Sequence, residues 1–142
     1  MKTVLRSGLL CLLLLCALAL TACSGGVSRG EAKDATEALF LALSAGDYEE
    51  AASLFHPAAG ITPDLMKAFC ETLQEEFAAD VTEGIVIDAY TGMRSAYYDS
   101  NVGGSLYELT MNVKIGGTPL SLTTEVIRTE TGFGIRNIHC NP

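Results

Sequence analysis

The chain has 142 residues, 49% of them apolar, and a formal net charge of −8 at pH 7. All 17 acidic groups and 7 of the 9 basic groups lie after Cys23, so this larger part of the chain has a net charge of −10. Binding to phosphate backbones needs clustered Lys and Arg, and this charge excludes nucleic acid as a partner. Roughly 120 residues remain after Cys23, which is room for one domain and little more.

Residues 1–22 have the parts of an export signal. Lys2 and Arg6 give a basic start, and residues 9–20 form an unbroken apolar run. That run is shorter than the roughly 20 residues that a membrane-spanning helix needs, but it fits the core of a signal peptide. We therefore predict that this segment directs export and is then removed.

The region where cleavage is expected reads Leu20-Thr21-Ala22-Cys23. It resembles the lipobox of bacterial lipoproteins at all four positions: an aliphatic residue, two small residues and a cysteine. The resemblance implies cleavage before Cys23, a diacylglycerol on its thiol and an acyl group on its amine. Each buried methylene of such chains contributes about 0.8 kcal/mol to membrane binding. The alternative is a plain secretory signal with a coincidental cysteine.

The residue after the lipobox carries information about location. In Gram-negative lipoproteins an aspartate there commonly retains the protein in the inner membrane. The resemblance, with Ser24 at this position, therefore implies the outer membrane, facing the periplasm, if the source is Gram-negative. Residues 23–30 are predicted to be the lipidated cysteine and a flexible tether, and residues 31–142 the domain.

Two cysteines, Cys70 and Cys140, remain in the predicted domain. An even pair in an exported domain suggests a disulfide, and closing a loop of about 70 residues would stabilise the fold by roughly 4 kcal/mol. Two separate buried thiols are the alternative. Neither cysteine has a second ligand at metal-binding spacing, and His56 and His139 are isolated and interpreted as surface residues. We therefore predict neither a metal nor a cofactor.

Helical periodicity predicts three helices in the first half of the domain. The first covers residues 31–44, with Ser28 and Glu31 as a candidate capping box. The second covers residues 48–56 and is ended by Pro57.

The third helix is expected to begin at Thr62-Pro63, because threonine caps free amides and proline suits the first helical position. Apolar residues recur every four positions along it and predict a buried stripe: Leu65, Phe69, Leu73 and Phe77. Met66 and Cys70 lie beside this stripe.

After residue 80 the apolar period changes to two, which predicts strands. In the first of these, Ile85, Ile87 and Ala89 alternate with Val86, Asp88 and Tyr90. The clearest strand covers residues 105–115, and Gly116-Gly117 then predicts a hairpin turn into a strand over 119–129. A closing strand is expected over 133–140. Residues 93–104 are ambiguous and are interpreted as the end of the first strand followed by a polar, glycine-containing loop. Together these elements predict an α+β fold, with three N-terminal helices packed on one face of a mainly antiparallel four-stranded sheet.

Two segments suggest a family. The first predicted helix ends in Gly46-Asp47, and the second carries Ala-x-x-Leu at Ala51 and Leu54. The last strand has an aromatic residue after a glycine turn, followed by spaced isoleucines. Over roughly residues 31–140 the chain resembles the nuclear transport factor 2-like superfamily, also called SnoaL-like or cystatin-like. The resemblance implies a cone, in which a curved sheet wraps around a long helix and leaves a pocket.

The leading functional hypothesis is a membrane-anchored lipoprotein of the bacterial cell envelope with a non-catalytic ligand- or protein-binding domain. The pocket of the cone, or the open face of the sheet, would then be the contact surface for an unidentified ligand. Seven apolar residues are candidates to line or face it: Leu65, Phe69, Leu73, Phe77, Tyr107, Met111 and Phe133. The alternative is that they simply fill the core.

A second hypothesis is an isomerase- or dehydratase-like enzyme acting on a small molecule in the pocket, as the resemblance allows. Asp88 and Tyr90 lie two positions apart on a predicted strand and so would share a face. A carboxylate beside a phenol in an apolar site could abstract a proton from carbon. Both side chains could equally point to solvent.

The third hypothesis is a structural accessory of an envelope complex. An open sheet leaves an edge strand that can pair with another chain, and the superfamily resemblance implies that a homodimer could form through the sheet face. The expected partners are therefore the membrane, through the N-terminal lipid, and either a second copy or an envelope protein.

Overall fold

The computed structural model of the protein describes residues 25–141. Three helices come first: α1 Arg29–Ser44, α2 Tyr48–Ser53 and α3 Pro63–Phe77. Four strands follow: β1 Ile85–Asp99, β2 Gly104–Ile115, β3 Thr118–Thr129 and β4 Gly132–Asn141. Short 3₁₀ turns occur at Pro57–Ala59 and Val81–Glu83. The predicted α+β class and the order of its elements are confirmed.

The strands form one antiparallel sheet in the order β1-β2-β3-β4. The sheet is not closed, so β1 and β4 are its edges. Gly116 and Gly117, with φ angles of 54° and 81°, make the predicted tight turn between β2 and β3, because such a turn needs positive φ at both positions. Most of the ambiguous segment 93–104 belongs to β1, which is 15 residues long.

The predicted helix starts are confirmed in atomic detail. Ser28 and Glu31 form a reciprocal capping box, in which the Ser28 amide donates to Oε2 of Glu31 at 2.9 Å. Oγ1 of Thr62 accepts from the Leu65 amide at 3.3 Å, and Pro63 is the first residue of α3. These caps depend only on residues within one turn, which is why sequence alone can predict them.

The second helix is shorter than predicted because its expected end pairs with the sheet instead. The Ile135 amide on β4 donates to the carbonyl of Leu54, and the His56 amide donates to the carbonyl of Ile135 at 2.7 Å. The backbone of Leu54 and His56 cannot form these bonds to β4 and also continue the hydrogen-bonding pattern of the helix, so the helix ends at Ser53.

The core lies between α1 and one face of the sheet. Leu39 and Leu43 on α1 are fully buried, as are Leu109 and Met111 on β2. A buried hydrogen bond of 2.8 Å also joins the hydroxyl groups of Thr36 and Thr124 across this interface. The long first helix is therefore the element that organises the domain.

The buried face of α3 differs from the predicted stripe. Its buried residues are spaced at i, i+4 and i+7: Met66, Cys70 and Leu73. Phe69 is half-buried, whereas Leu65 and Phe77 are exposed. Seven of the 15 residues of this helix are apolar, and they spread over a wide face, so periodicity alone could not show which part of the apolar surface would meet α2 and the core.

The domain begins closer to Cys23 than predicted. Val27 is buried, and its amide donates to Oγ of Ser105 at 3.0 Å. A guanidinium nitrogen of Arg128 donates to the carbonyl of Gly26 at 3.3 Å. We use the name N-terminal end for the three segments that meet here, residues 25–31, 97–105 and 128–132.

Candidate binding surfaces

An open groove of about 520 Å³ lies between α1 and the beginning of β1. Its lining is mainly apolar and comes from two short segments: Glu37, Phe40, Leu41 and Ser44 from α1, and Gly84, Ile85, Val86 and Ile87 from the other side. Leu41 is 74% exposed and Val86 is 60% exposed. We call residues 37–44 and 84–87 the groove end.

The local sequence explains why apolar side chains remain exposed there. Residues 39–43 are all apolar, but a helix can turn only part of its circumference toward one core. Leu41 is the residue left outside. On the strand, Ile85 and Ile87 pack against the core, and the alternation of side chains turns Val86 between them to the other face. The sequence signal for this groove is therefore a pair of uninterrupted apolar runs, residues 39–43 and 85–87. The search for motifs did not find it.

Tyr90 lies beside the groove and contacts α1. Its hydroxyl donates to Oε1 of Glu37 at 3.4 Å, and the ammonium group of Lys33 lies 4.2 Å from the centre of its ring. Partial burial raises the pKa of Tyr90, and the neighbouring Glu37 carboxylate adds to the effect. The phenol is therefore a neutral donor at pH 7, held by two side chains of the helix.

Asp88 points away from Tyr90. Ile87 pairs with Val113, and Ala89 pairs with Asn112, so Asp88 is an extra residue in a β-bulge. The bulge interrupts the alternation that would place Asp88 and Tyr90 on one face. Asp88 instead forms a 3.4 Å ion pair with Lys114. The structure therefore does not place the two residues proposed for catalysis on one face of the strand.

The seven residues predicted to line a pocket fall into three groups. Two are buried in the core: Leu73 and Met111. Two are half-buried against it: Phe69 and Tyr107. Three are exposed: Leu65, Phe77 and Phe133. Other residues line the groove.

Both cysteines of the domain are free thiols in the structure. Cys70 is buried on α3, and burial raises the pKa of its thiol to about 11. Cys140 on β4 is partly exposed, and burial together with the nearby Glu76 carboxylate raises its pKa. A bridge between them stays a prediction, which the mass of the unreduced mature protein would test.

His56 is buried, so the interpretation of it as a surface residue is wrong. Its Nδ1 accepts from the Ala58 amide at 3.1 Å. The other ring nitrogen, Nε2, therefore carries the proton and donates to Oγ1 of Thr129 at 2.9 Å. With both ring nitrogens bonded, His56 fastens the segment after α2 to the sheet.

Two tyrosines stand out at the N-terminal end. Ala96 pairs with Leu106, and Asp99 pairs with Gly104, so Tyr97 and Tyr98 together oppose the single residue between those partners. This bulge leaves both rings in solvent, with Tyr97 80% and Tyr98 68% exposed. Large apolar rings are normally buried on folding, so this pair is a second candidate contact surface.

The predicted lipobox, including Cys23, lies outside the described residues. Among the helices of residues 25–141, none is long and apolar enough to cross a bilayer. The same residues contain no group of three or more His, Cys, Asp or Glu side chains arranged to hold a metal ion.

Comparison with known proteins gives no match to this chain among family models, curated proteins or solved structures.

Proposed function

We propose that this protein is a lipoprotein of the bacterial cell envelope, anchored through Cys23, whose domain binds a protein partner without catalysis. In a Gram-negative cell, Ser24 favours the outer membrane and a domain facing the periplasm. The lipobox supports the anchor, and the observation that carries the binding role is the apolar groove between α1 and β1. The order of the helices and strands also supports a curved, cone-like sheet of the nuclear transport factor 2-like kind.

The chemistry of the groove favours a protein segment as its occupant. Leu41 and Val86 give it apolar walls that are open to solvent, and exposed apolar surface of this kind is typical of interaction sites. An open groove can accept side chains from a chain that continues past both ends, whereas small ligands are usually enclosed.

Recognition in the groove would depend on side chains more than on strand addition. β1 is an edge strand, but extra residues at Asp88 and Thr91 interrupt its register. Bulges of this kind make an edge a poor template for another strand. The Glu37 carboxylate at the groove and a net charge of −10 after Cys23 favour a partner with basic residues beside its apolar ones.

The anchor is tested on the full-length chain produced in a bacterium that processes lipoproteins. Mass spectrometry of the mature N-terminus should find acylated Cys23, and the protein should float with membranes in a density gradient. The Cys23→Ala variant should do neither. An unmodified Cys23 in the mature wild-type protein would contradict the proposal.

The groove is tested by selecting a random peptide library on the mature protein. We expect enriched peptides that combine apolar residues with Lys or Arg, and binding that weakens at high salt. Leu41→Lys and Val86→Lys should abolish binding, whereas Leu65→Lys, at an exposed leucine outside the groove, should keep it. Binding that survives both groove variants would rule out this site.

A further inference from the structure

The predicted lipid attachment point is very close to the folded domain. Gly25 is the first residue that the structure describes, two positions after Cys23. Two residues span at most about 7 Å, whatever their conformation. Because the Val27 amide and the Gly26 carbonyl are already hydrogen-bonded to the domain, the attachment point cannot move far from the N-terminal end.

The same contacts place the two exposed tyrosines beside the attachment point. A Cβ atom on Gly25 would lie 2.9 Å from Cε2 of Tyr97, so the backbone of Gly25 runs against that ring. Ser105, whose hydroxyl holds the Val27 amide, is the residue opposite the bulge of Tyr97 and Tyr98. The same β-bulge therefore turns the aromatic pair outward and lies opposite the residue that holds Val27.

The N-terminal end has little net charge. The segments that define the N-terminal end contain two basic and three acidic residues: Arg29, Glu31, Asp99, Arg128 and Glu130. Their net charge is −1, whereas the chain after Cys23 has a net charge of −10. A membrane with anionic lipids repels acidic surfaces within about a Debye length, ~10 Å at 0.1 M salt. With so little net charge, this end can approach such a membrane without strong repulsion.

We propose that the N-terminal end rests on the membrane, with Tyr97 and Tyr98 at the lipid–water interface and the groove end turned away from it. Tyrosine suits that position because its ring is apolar and its hydroxyl stays hydrated. The inference rests on the proposed acylation of Cys23 and goes beyond it, because a lipid alone does not fix the orientation of a domain.

The test uses the absence of tryptophan from the sequence. Tyr98→Trp introduces a single fluorescent reporter at the proposed contact, and Leu41→Trp introduces one at an equally exposed site of the groove end. Each full-length variant is produced in lipoprotein-processing cells. The mature form is then reconstituted into phosphatidylcholine vesicles, with and without bromine on the acyl chains.

We expect bromine to quench Tyr98→Trp several-fold, with emission shifted to the blue, and to leave Leu41→Trp nearly unchanged. Equal quenching of the two variants in protein that floats with the vesicles would overturn the orientation but leave the anchor intact. Stronger quenching of Leu41→Trp would also overturn it, because the groove would then face the lipid. Protein that does not float and carries an unmodified Cys23 would overturn the proposed anchor, and this inference with it.

Discussion

The two ends of the domain present apolar surface in different ways. At the N-terminal end, hydrogen bonds from Val27 and to Gly26 fix the chain, and a bulge holds two tyrosine rings outward. At the groove end, Leu41 and Val86 are exposed because their neighbours in sequence fill the core. The difference suggests two kinds of contact: a surface of defined orientation at one end, and an adaptable apolar groove at the other.

A substitution in the core, between the two ends, should have the largest effect on the free energy of unfolding. Leu73→Ala removes a buried side chain and should lower the free energy of unfolding by about 3 kcal/mol, because a cavity is left behind. Leu65→Ala on the same helix should change it by no more than about 0.5 kcal/mol. Urea unfolding measures both. Equal losses would show that Leu65 is buried and that α3 presents the face predicted from sequence.

The next largest effect should occur at the N-terminal end, at Gly104. A Cβ atom there would collide with the backbone carbonyl of Arg128 on the neighbouring strand. Gly104→Ala should therefore cost about 2 to 3 kcal/mol, as in overpacking. Gly103→Ala is the matched control: its φ is 73° but the space around it is open, so it should cost about 1 kcal/mol. Thermal unfolding of the two variants would show whether close packing or backbone conformation matters more at this turn.

The ion pair at the N-terminal end should make stability depend on pH. The Arg128 guanidinium, 2.7 Å from Glu31, and the Ser28 amide lower the pKa of Glu31 from 4.5 to about 2. A lowered pKa stabilises the fold fully above pH 4.5, and the contribution is lost as the pH falls from there through 2. Because the Glu31 side chain is 39% exposed, solvent screening limits the contribution to about 1 kcal/mol.

Glu31→Gln should therefore be less stable than the wild type at pH 7, with the difference disappearing toward pH 2. Glu75→Gln, at an exposed position on α3, should follow the wild type throughout. Denaturant unfolding at several pH values would check this. A constant difference between Glu31→Gln and the wild type would mean that the capping geometry, and not the charge, stabilises this end.

The features that could be predicted from the sequence are those that depend on residues close together in the chain. The caps at Ser28 and Thr62 and the Gly116-Gly117 turn involve residues a few positions apart, so their chemistry can be read directly from the chain. The bulge at Asp88 and the burial of His56 depend on strand register and on a segment that pairs with β4. Those partners are distant in sequence, so alternation alone placed Tyr90 on the same face as Asp88, whereas Tyr90 packs against the core. The groove was missed for a related reason, because its walls come from segments about 45 residues apart.

The smallest expected effect on stability is also the one that separates folding from binding. Leu41→Ala keeps a good helix former at a position that is already 74% exposed. It should therefore change the free energy of unfolding by no more than about 0.5 kcal/mol. Differential scanning calorimetry would measure this beside the peptide binding described above. Lost binding with unchanged stability would assign Leu41 to recognition, whereas a large loss of stability would mean that the side chain packs in the domain and that the groove is part of its core.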